Sequence, residues 1–358
     1  MSKTHNQESA STLTLAQLGW RPLFQQQISL EQWDYPVMRV VAQHRNRLEL
    51  LGEACEGNPS GEFALDLHPS LPSMTVGDWL LLNPAGQFEQ LLDRQSLFRR
   101  KAAGRKVAEQ LIAANVDTLF MVMSLNDDFN LNRVERYLSL ANEAEVEPVI
   151  VLSKADLCEG VDELKRQVQA LDPLLMVVTI NALDHQQIAK LTPWCSSGQT
   201  VALMGSSGVG KSTLVNTLLD GAVQQTGGIR EDDSKGRHTT TGRSLHHIAQ
   251  GGLLLDTPGM RELQLTDCDE GVSATFTDIT RLAEGCRFSD CQHSNEPGCA
   301  VQDAIEKGEL EPRRLASFVK LMREQSLNSA TLAQRRANDK AFQKHVNAHQ
   351  SEKRNRKY

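Results

Sequence analysis

The stretch GSSGVGKST, residues 205–213, decides how the middle of this chain folds. It follows the apolar run TVALM and leads into KSTLVNTLL, so it joins a predicted strand to a predicted helix. Its glycines allow backbone N–H groups to turn inward around an anion, and the following helix presents its positive end to the same point. The pattern G-x4-G-K-[ST] is typical of a phosphate-binding loop and predicts a nucleotide site.

The side chains of this loop have separate predicted roles. Lys211 is expected to neutralise the β- and γ-phosphate oxygens, which makes it a candidate catalytic residue. The hydroxyl of Ser212 is expected to bind the Mg²⁺ that accompanies the nucleotide. The residues of the loop predicted to bind nucleotide are Gly205, Ser206, Ser207, Gly208, Val209, Gly210, Lys211, Ser212 and Thr213.

A second motif, DTPG at residues 256–259, follows the apolar run GGLLL. At the end of this predicted strand the carboxylate of Asp256 can hold Mg²⁺ through water. The backbone N–H of Gly259 can contact the γ-phosphate. Because DTPG comes about 45 residues after a phosphate loop, a spacing read from the numbering, we predict that it is the second nucleotide and magnesium element.

The segment between the two motifs, residues 227–243, is polar and rich in glycine. Thr240 is expected to complete the magnesium shell, and the threonines on either side of it remain alternatives. Met260 follows DTPG at the position where Ras-like enzymes place the glutamine that orients the attacking water. His238 is the nearest candidate to take over that task, and a solvated surface role for it is the alternative.

A third stretch, VLSKADL at residues 151–157, reads as a strand that ends in a polar loop. The carboxylate of Asp156 can accept hydrogen bonds from N1–H and the 2-amino group of guanine, which adenine cannot offer, and the stem of Lys154 can lie over the base. Many GTPases have asparagine at the position of Ser153. We expect the shorter serine not to bridge as far to the phosphate loop, with a modest nucleotide affinity as the result.

The order of these parts along the chain is unusual. After the next predicted strand, Asn181 and Ala182 occupy the place of the Ser-Ala pair whose backbone N–H contacts the guanine oxygen in GTPases. The parts therefore run guanine reader, Asn-Ala, phosphate loop, threonines and DTPG, which is the Ras order rotated. Circular permutation explains this order, because domain ends lie close together at the surface.

Four potential metal ligands crowd together near the C-terminus in the pattern C-x4-C-x-H-x5-C. Three thiols and one imidazole suit a tetrahedral Zn²⁺, and because all four positions are protein ligands the predicted site is structural. The predicted zinc ligands are Cys286, Cys291, His293 and Cys299. The other four of the seven cysteines are scattered, which favours a reducing cytoplasm over a disulfide framework.

Charge is segregated within a chain whose net charge is -7. Residues 335–358 carry eight Lys/Arg against two acidic residues, and residues 94–106 carry six Lys/Arg and no acid. We interpret these stretches as basic contact elements for RNA on an acidic body. The polar N-terminus has no secretory signal, and the longest apolar runs are too short to cross a bilayer, so we expect a cytoplasmic protein without a membrane partner.

Residues 36–93 contain five short apolar stretches separated by turns, which predicts a small antiparallel barrel. An OB-like barrel is our prediction, and an SH3-like barrel is not excluded. From about residue 110, strands alternate with helices in the pattern of a mostly parallel sheet. The predicted domains are a leader or arm at 1–35, the OB-like barrel at 36–93, a basic linker at 94–110, the permuted GTPase at 111–283 and a zinc-binding helical domain at 284–358.

These features together resemble the circularly permuted bacterial GTPases of the RsgA/YjeQ family. The resemblance rests on VGDWLLL, GRKVAEQLIAANVD, SLNDDFN, the permuted motifs, GRHTTT, DTPGMREL and the zinc spacing, and it covers nearly the whole chain. It implies an OB domain, a central GTPase and a zinc domain in a monomer that binds the small (30S) ribosomal subunit and its rRNA. It also implies weak GTPase activity that 30S stimulates, a GTP-dependent checkpoint late in 30S maturation, and a role in hydrolysis for His238.

Two other functions remain as alternatives. An RNA-docking assembly factor could use GTP as a conformational latch with negligible turnover, because Met260 replaces the usual glutamine. An ATP-dependent small-molecule kinase needs only the phosphate loop, but it leaves Asp156 unexplained.

Overall fold

A computed structural model describes residues 13–54, 58–101, 109–126, 128–219, 243–256, 260 and 268–329. The chain divides into two compact units, one formed by residues 1–99 and 111–263 and the other by residues 100–110 and 264–358. The first unit contains the N-terminal strands and the nucleotide motifs, and the second contains the Cys/His cluster.

The N-terminal strands form an antiparallel group in the order β3-β2-β1-β4-β5. Their alternating apolar residues point to a common interior, as in β2, where Leu48 and Leu50 are buried and Arg47 is exposed. This is the five-stranded arrangement expected from residues 36–93. The strands are β1 Val37–Gln43, β2 Arg47–Gly52, β3 Glu62–Asp66, β4 Trp79–Leu82 and β5 Phe88–Leu91.

An arm that precedes the barrel packs against it through a short helix, α1 Pro22–Gln25. Proline suits the first turn of this helix because it lacks the N–H that would have no partner there. Phe24 is buried together with Trp79 of β4, and the ring of Trp20 meets that of Trp79 edge-on at 4.9 Å. The arm therefore shares an apolar cluster with Trp79 and Leu81 on one face of β4.

The nucleotide motifs lie on a sheet whose strand order is β10-β9-β8-β11-β13-β12. All neighbours in this part of the sheet are parallel except β12, which is antiparallel to β13. These strands are β8 Thr118–Ser124, β9 Glu147–Ser153, β10 Met176–Thr179, β11 Thr200–Met204, β12 Arg243–His247 and β13 Leu253–Asp256. The helices around the sheet are α2 Leu131–Glu143, α3 Val161–Gln169, α4 His185–Ile188 and α5 Lys211–Leu219.

The central strands are apolar because helices cover the sheet. All seven residues of β8 are buried, as are all five of β11, and such continuous burial is typical of a parallel sheet enclosed on both faces. One side of the core packs Val122 and Val201 of these strands against Leu214 and Leu218 of α5.

Two connections were not expected from the sequence. Strand β12 pairs on its free side with β1, so the barrel and the nucleotide-binding sheet form one continuous sheet within the first unit. In addition, a strand pair, β6 Leu97–Lys101 and β7 Glu109–Ala114, includes part of the predicted basic linker.

The described part of the second unit is helical around the Cys/His cluster. An ion pair between Arg314 and Asp278, with N and O atoms 2.7 Å apart, joins two of its helices, and the Arg314 guanidinium lies 4.6 Å from the centre of the Phe276 ring. No helix among the described residues is long and apolar enough to cross a membrane. The helices are α6 Asp269–Thr275, α7 Thr277–Ala283, α8 Ala300–Glu306 and α9 Pro312–Ser329. The predicted multidomain α/β fold class is confirmed.

Candidate functional site

The predicted nucleotide motifs come together at one edge of the sheet. Because β8, β9, β11 and β13 are parallel, their carboxyl ends meet at that edge. The chain leaves β8 toward β9 and later returns to β11 on the other side of β8, so the direction of strand addition reverses between β8 and β11. Ligands of open α/β sheets bind outside the carboxyl ends at such a switch point.

The phosphate loop begins directly after β11 and passes very close to β8. A Cβ atom on Gly205 would lie 2.2 Å from the carbonyl oxygen of Val122, so only glycine fits there. Gly208 and Gly210 have φ values of 82° and 94°, in the left-handed region that favours glycine. The glycines therefore allow the loop to turn back over the sheet edge and enter α5.

Lys211 lies over this loop and is only 7% exposed. Its Nζ donates hydrogen bonds to the carbonyl oxygens of Gly205, at 2.8 Å, and Ser206. Ser212 beside it is exposed at the start of α5. A cation held within the loop and an accessible hydroxyl at the helix N-terminus are the groups that a nucleotide phosphate and its Mg²⁺ require.

The guanine reader is joined to the phosphate loop by Ser153. This residue is 1% exposed at the end of β9, and its Oγ donates a hydrogen bond of 2.6 Å to the carbonyl oxygen of Val209. Serine is shorter than the asparagine that is common at this position, yet its hydroxyl reaches the phosphate loop, and the modest nucleotide affinity stays a prediction. Lys154, the next residue, adopts a left-handed conformation with φ of 57°, and Asp156 beyond it is exposed.

The Asn-Ala loop is hydrogen-bonded to the guanine reader and to α5. The N–H of Ala155 in the guanine reader donates to the carbonyl oxygen of Ile180 at 3.2 Å. The Oδ1 atom of Asn181 accepts from the N–H of Leu183 at 2.9 Å, which closes a tight turn. From α5, the Thr217 hydroxyl donates to the carbonyl oxygen of Ala182 at 3.0 Å.

The guanine reader is therefore hydrogen-bonded to both other loops, and the Asn-Ala loop is also bonded to the helix that follows the phosphate loop. Sequence reasoning did not identify Thr217 as part of these contacts. The sequence gives little sign of this contact, because the hydroxyl of a threonine in a helix commonly donates to a carbonyl oxygen of the preceding turn. Thr217 also does so, to Thr213 at 3.0 Å.

Some predicted residues lie outside the described part of the structure. The backbone of Asp256 ends β13, at the carboxyl edge of the sheet, as expected for the magnesium element. Gly259, His238 and Thr240 are outside the described residues. Met260 is described and is 2% exposed. The roles of His238 and Thr240 stay predictions.

The four predicted metal ligands converge in the second unit. One ligand atom of each of Cys286, Cys291, His293 and Cys299 lies within 4.8 Å of the others. The Nδ1 atom of His293 is 3.6 Å from the sulfur of Cys286 and 3.5 Å from that of Cys299. Ligand atoms that surround one metal ion are separated by such distances, so this cluster could hold a metal ion.

The local sequence builds this cluster in two ways. His293 has a φ of 56°, a left-handed turn that aims its ring back at the thiols, and the side-chain amide of Gln302 donates to its carbonyl oxygen. Cys299 is the N-cap of α8, which places the cluster at that helix start. Desolvation raises the pKa of the Cys286 thiol, but hydrogen bonds from the backbone amides of Ala300 and Val301 and with the thiols of Cys299 and Cys291 together lower that pKa below its ordinary value.

Comparisons with known proteins agree with this geometry. The family model described as RsgA GTPase matches residues 91–266. A model described as ABC transporter matches residues 189–346, a range that includes the same phosphate loop.

Two curated relatives are similar over nearly their full length. The small ribosomal subunit biogenesis GTPase RsgA 2 of Vibrio parahaemolyticus is 61% identical, over 96% of this chain and 94% of its own length. The small ribosomal subunit biogenesis GTPase RsgA of Mesorhizobium japonicum is 48% identical, over 90% of this chain and 92% of its own length.

Two solved structures share the fold. YjeQ from Thermotoga maritima is 27% identical with a TM-score of 0.60, over 81% of this chain and 98% of that protein. YloQ, described as a circularly permuted GTPase, is 22% identical with a TM-score of 0.55, over 83% of this chain and 96% of that protein. The likeness confirms the permuted fold. With these relatives and this site, the chain belongs to the RsgA GTPase family and is an enzyme that hydrolyses GTP.

Proposed function

We propose that this GTPase acts in the late maturation of the small ribosomal subunit, bound to the 30S particle and its rRNA. The observation that carries the nucleotide site is the hydrogen bond between Ser153 of the guanine reader and Val209 of the phosphate loop. The names of the relatives from V. parahaemolyticus and M. japonicum support the ribosomal role. In this proposal a cytoplasmic monomer hydrolyses GTP faster on the 30S subunit, and this step is a checkpoint.

The residues of the site have distinct roles in the proposed reaction. Lys154 and Asp156 select guanine, and the N–H of Ala182 contacts the base oxygen. Lys211, held 2.8 Å from the carbonyl oxygen of Gly205, moves onto the β- and γ-phosphate oxygens and stabilises the charge that develops there. Ser212 and Asp256 would hold Mg²⁺, which would neutralise phosphate charge.

The Cys/His cluster is proposed to hold one structural Zn²⁺. Three thiols and an imidazole within 4.8 Å of one another are soft and borderline ligands that suit this ion. Four protein ligands leave no open coordination position, so the ion would stabilise the fold of its unit and take no part in hydrolysis.

Docking on rRNA is proposed to be electrostatic. The contact elements are the barrel, the basic stripe at 94–106 and the basic tail at 335–358. Residues 102–106 of the stripe and the whole tail are outside the described residues. Each phosphate contact releases counterions, so the logarithm of the 30S affinity should fall by about 0.7–0.9 per log unit of salt for each contact. Filter binding at about 50 to 300 mM KCl measures this slope. An affinity for 30S that does not change with salt would exclude the basic elements as the contact.

The decisive experiment measures GTP hydrolysis by the wild type and by His238→Ala, each with and without purified 30S subunits. We expect the 30S particle to raise turnover of the wild type at least about tenfold, with most of that gain lost in the variant. Wild-type turnover that does not respond to 30S contradicts the proposed function. A response that His238→Ala retains in full contradicts only the role of the histidine.

The second candidate function is an RNA-docking assembly factor that uses GTP as a conformational latch with negligible turnover, and one observation favours it. Met260, at the position of the usual water-orienting glutamine, is 2% exposed and therefore packed in the interior. If the enzyme is a latch, 30S affinity will depend on the bound nucleotide while phosphate release stays at the basal rate in the presence of 30S.

Guanine selection is tested by nucleotide competition, which also separates this function from that of an ATP-dependent kinase. The wild type should prefer GDP to ADP by at least about a hundredfold, and Asp156→Asn should remove most of that preference. The matched control is Asp162→Asn, an acidic residue in the first turn of α3 outside the three loops. Equal binding of both nucleotides by the wild type would support the ATP alternative.

A further inference from the structure

The carboxyl end of β13 is connected to the barrel by a single intervening strand. Ser244 of β12 is paired with Asp256 on one side and with Ala42 of β1 on the other. Asp256, Ser244 and Ala42 therefore lie side by side across three adjacent strands. At about 4.8 Å between neighbouring strands, the backbone of the predicted magnesium residue is roughly 10 Å from the barrel strand.

A side chain reinforces this junction at the first residue of β12. The Nη1 atom of Arg243 donates to Oε1 of Gln43 at 3.1 Å and lies 3.4 Å from the Thr75 hydroxyl. It also donates to the carbonyl oxygen of Leu111 in β7. Arg243 thus holds β12 against β1, the segment before β4, and β7. We name this set of contacts the Arg243 junction.

The acceptors of the junction are themselves held in place. The Gln43 amide donates to the carbonyl oxygen of Met74 at 3.3 Å, and the Thr75 hydroxyl donates to Gln43 at 3.4 Å. The N–H of Thr75 donates to Asp78, whose carboxylate is paired with Arg94 at 2.7 Å. If β12 moves, the rearrangement of one side chain is therefore not enough to accommodate the movement. Either the barrel strands move with β12 or the hydrogen bonds of the junction break.

The position of β12 in the sequence gives the junction its significance. The strand begins three residues after Thr240, the predicted magnesium threonine, and its partner β13 ends at Asp256. Two segments are expected to respond to the γ-phosphate: the one that contains Thr240 and the end of β13. The first is linked to β12 by the chain, and the second is hydrogen-bonded to β12. This link rests on the proposed function, since Thr240 and Asp256 have predicted roles there.

We propose that Arg243 is a positioning residue that couples the nucleotide site to the barrel. Exchange of GTP for GDP shifts β12, and the Arg243 junction passes that shift to β1, which changes how the barrel presents its contact surface. By thermodynamic reciprocity, a partner bound to the barrel alters the relative affinity for the two nucleotides. The coupling needs only one discrete rearrangement within a continuous sheet.

Hydrogen exchange of the full-length protein alone tests the coupling without ribosomes. Amide exchange is measured with saturating GDP and with a non-hydrolysable GTP analogue. We expect peptides covering Val37–Gln43 to exchange at rates that differ at least about fivefold between the two nucleotides. Peptides from β3, Glu62–Asp66, lie two strands further from β12 and should differ by less than about twofold.

Variants decide whether Arg243 carries the effect. Arg243→Ala and Gln43→Leu should each reduce the nucleotide-dependent difference at β1 to less than about twofold, and Arg243→Lys should restore part of it. Arg47→Ala is the matched control, because Arg47 is an exposed arginine of the neighbouring barrel strand whose guanidinium pairs with Glu49, at 3.6 Å, and not with a residue of the junction. Should Arg243→Ala fail to fold, Gln43→Leu answers the question, since it leaves the arginine in place.

Two results would overturn the proposal: equal exchange of β1 in both nucleotides in the wild type, or an undiminished difference in both junction variants. The outcome is separable from the fate of the proposed function. If β1 responds to nucleotide but 30S subunits do not stimulate hydrolysis, the coupling stands and the ribosomal role fails. If 30S stimulates hydrolysis while β1 does not respond, the ribosomal role stands and the coupling fails.

Discussion

Ser153 illustrates how one small residue is accommodated at a site where a longer one is common. Its hydroxyl is buried and bonds to the Val209 carbonyl oxygen at 2.6 Å, with the Met123 carbonyl oxygen 3.3 Å away. The sequence could not indicate this contact, because the two partners are 56 residues apart and the distance depends on the packing of β9, β8 and the phosphate loop.

Replacement of Ser153 by alanine should weaken nucleotide binding. The change removes one buried hydrogen bond and leaves the Val209 carbonyl oxygen without this donor, a loss of about 1 kcal/mol, or about fivefold in affinity. Titration of fluorescent GDP measures the effect. The control is Ser124→Ala, since Ser124 is paired with Ser153 in the neighbouring strand and is equally buried. An equal loss in both variants would contradict a specific role for Ser153.

At the scale of elements, the phosphate loop depends on two glycines for different reasons. At Gly205 a Cβ atom would collide with the Val122 carbonyl oxygen at 2.2 Å, whereas at Gly208 it would meet no atom within 4 Å. Gly205→Ala should therefore lower the free energy of unfolding by about 3 kcal/mol and abolish GDP binding. Gly208→Ala, which adds only backbone strain, should cost about 1 kcal/mol. Urea unfolding of both variants gives the comparison, and similar losses would mean that the loop moves away from β8.

The Cys/His cluster should govern the stability of its own unit. Elemental analysis should find about one zinc ion per chain, and Cys299→Ala should remove it, because the remaining three ligands bind far more weakly. Since Cys299 also caps α8, the variant should lose helical circular dichroism and become sensitive to protease. Cys158→Ala, a cysteine outside the cluster, serves as the control. Full zinc content in Cys299→Ala would refute this ligand assignment.

Elements with a strong local pattern were predicted well, and those formed by tertiary contacts were not. The apolar runs of β9, β11 and β13 and the helix α5 lie where the sequence placed them. Strand β12 was missed because RSLHH has no buried alternation, and all five residues are half-buried between two neighbouring strands. Helices α6 and α7 were missed as well, since they are short and include glycine and threonine.

The site followed the same division. Each loop has a local motif, so its place at the carboxyl edge of the sheet could be predicted from its own residues, and the Cys/His cluster could be predicted because fourteen positions hold all four side chains. The bonds that join one loop to another were not predictable. They include Thr217 to Ala182 and Ala155 to Ile180, which depend on the sheet order and not on any local pattern.

At the scale of the whole molecule, Arg39 joins three parts of the first unit. It is 1% exposed and donates to the carbonyl oxygens of Leu18 in the arm, Gly77 in the barrel and Asn115 before β8. Burial lowers its pKa to about 10, partly offset by the nearby Asp117 carboxylate, so the side chain stays charged at neutral pH.

Removal of the Arg39 side chain should destabilise arm, barrel and sheet together. Arg39→Met leaves three buried carbonyl oxygens without this donor, and we expect the free energy of unfolding to fall by about 3 kcal/mol or more. Urea unfolding followed by tryptophan fluorescence and by circular dichroism measures the loss. Arg47→Met, at an exposed arginine of the same barrel, should change stability by less than about 0.5 kcal/mol. A small effect at Arg39 would mean that solvent can reach these carbonyl groups.

The arm has a consequence for how the polypeptide is made. Arg21 pairs with Asp117 at 2.7 Å and contacts Gln199, which is 178 positions later. At about 5–20 residues per second, roughly ten to forty seconds of translation separate the emergence of these two residues. A nascent chain therefore carries this arm without its full set of contacts until three of the six strands of the nucleotide-binding sheet, β8, β9 and β10, have been synthesised, so the arm completes its contacts long after it is translated.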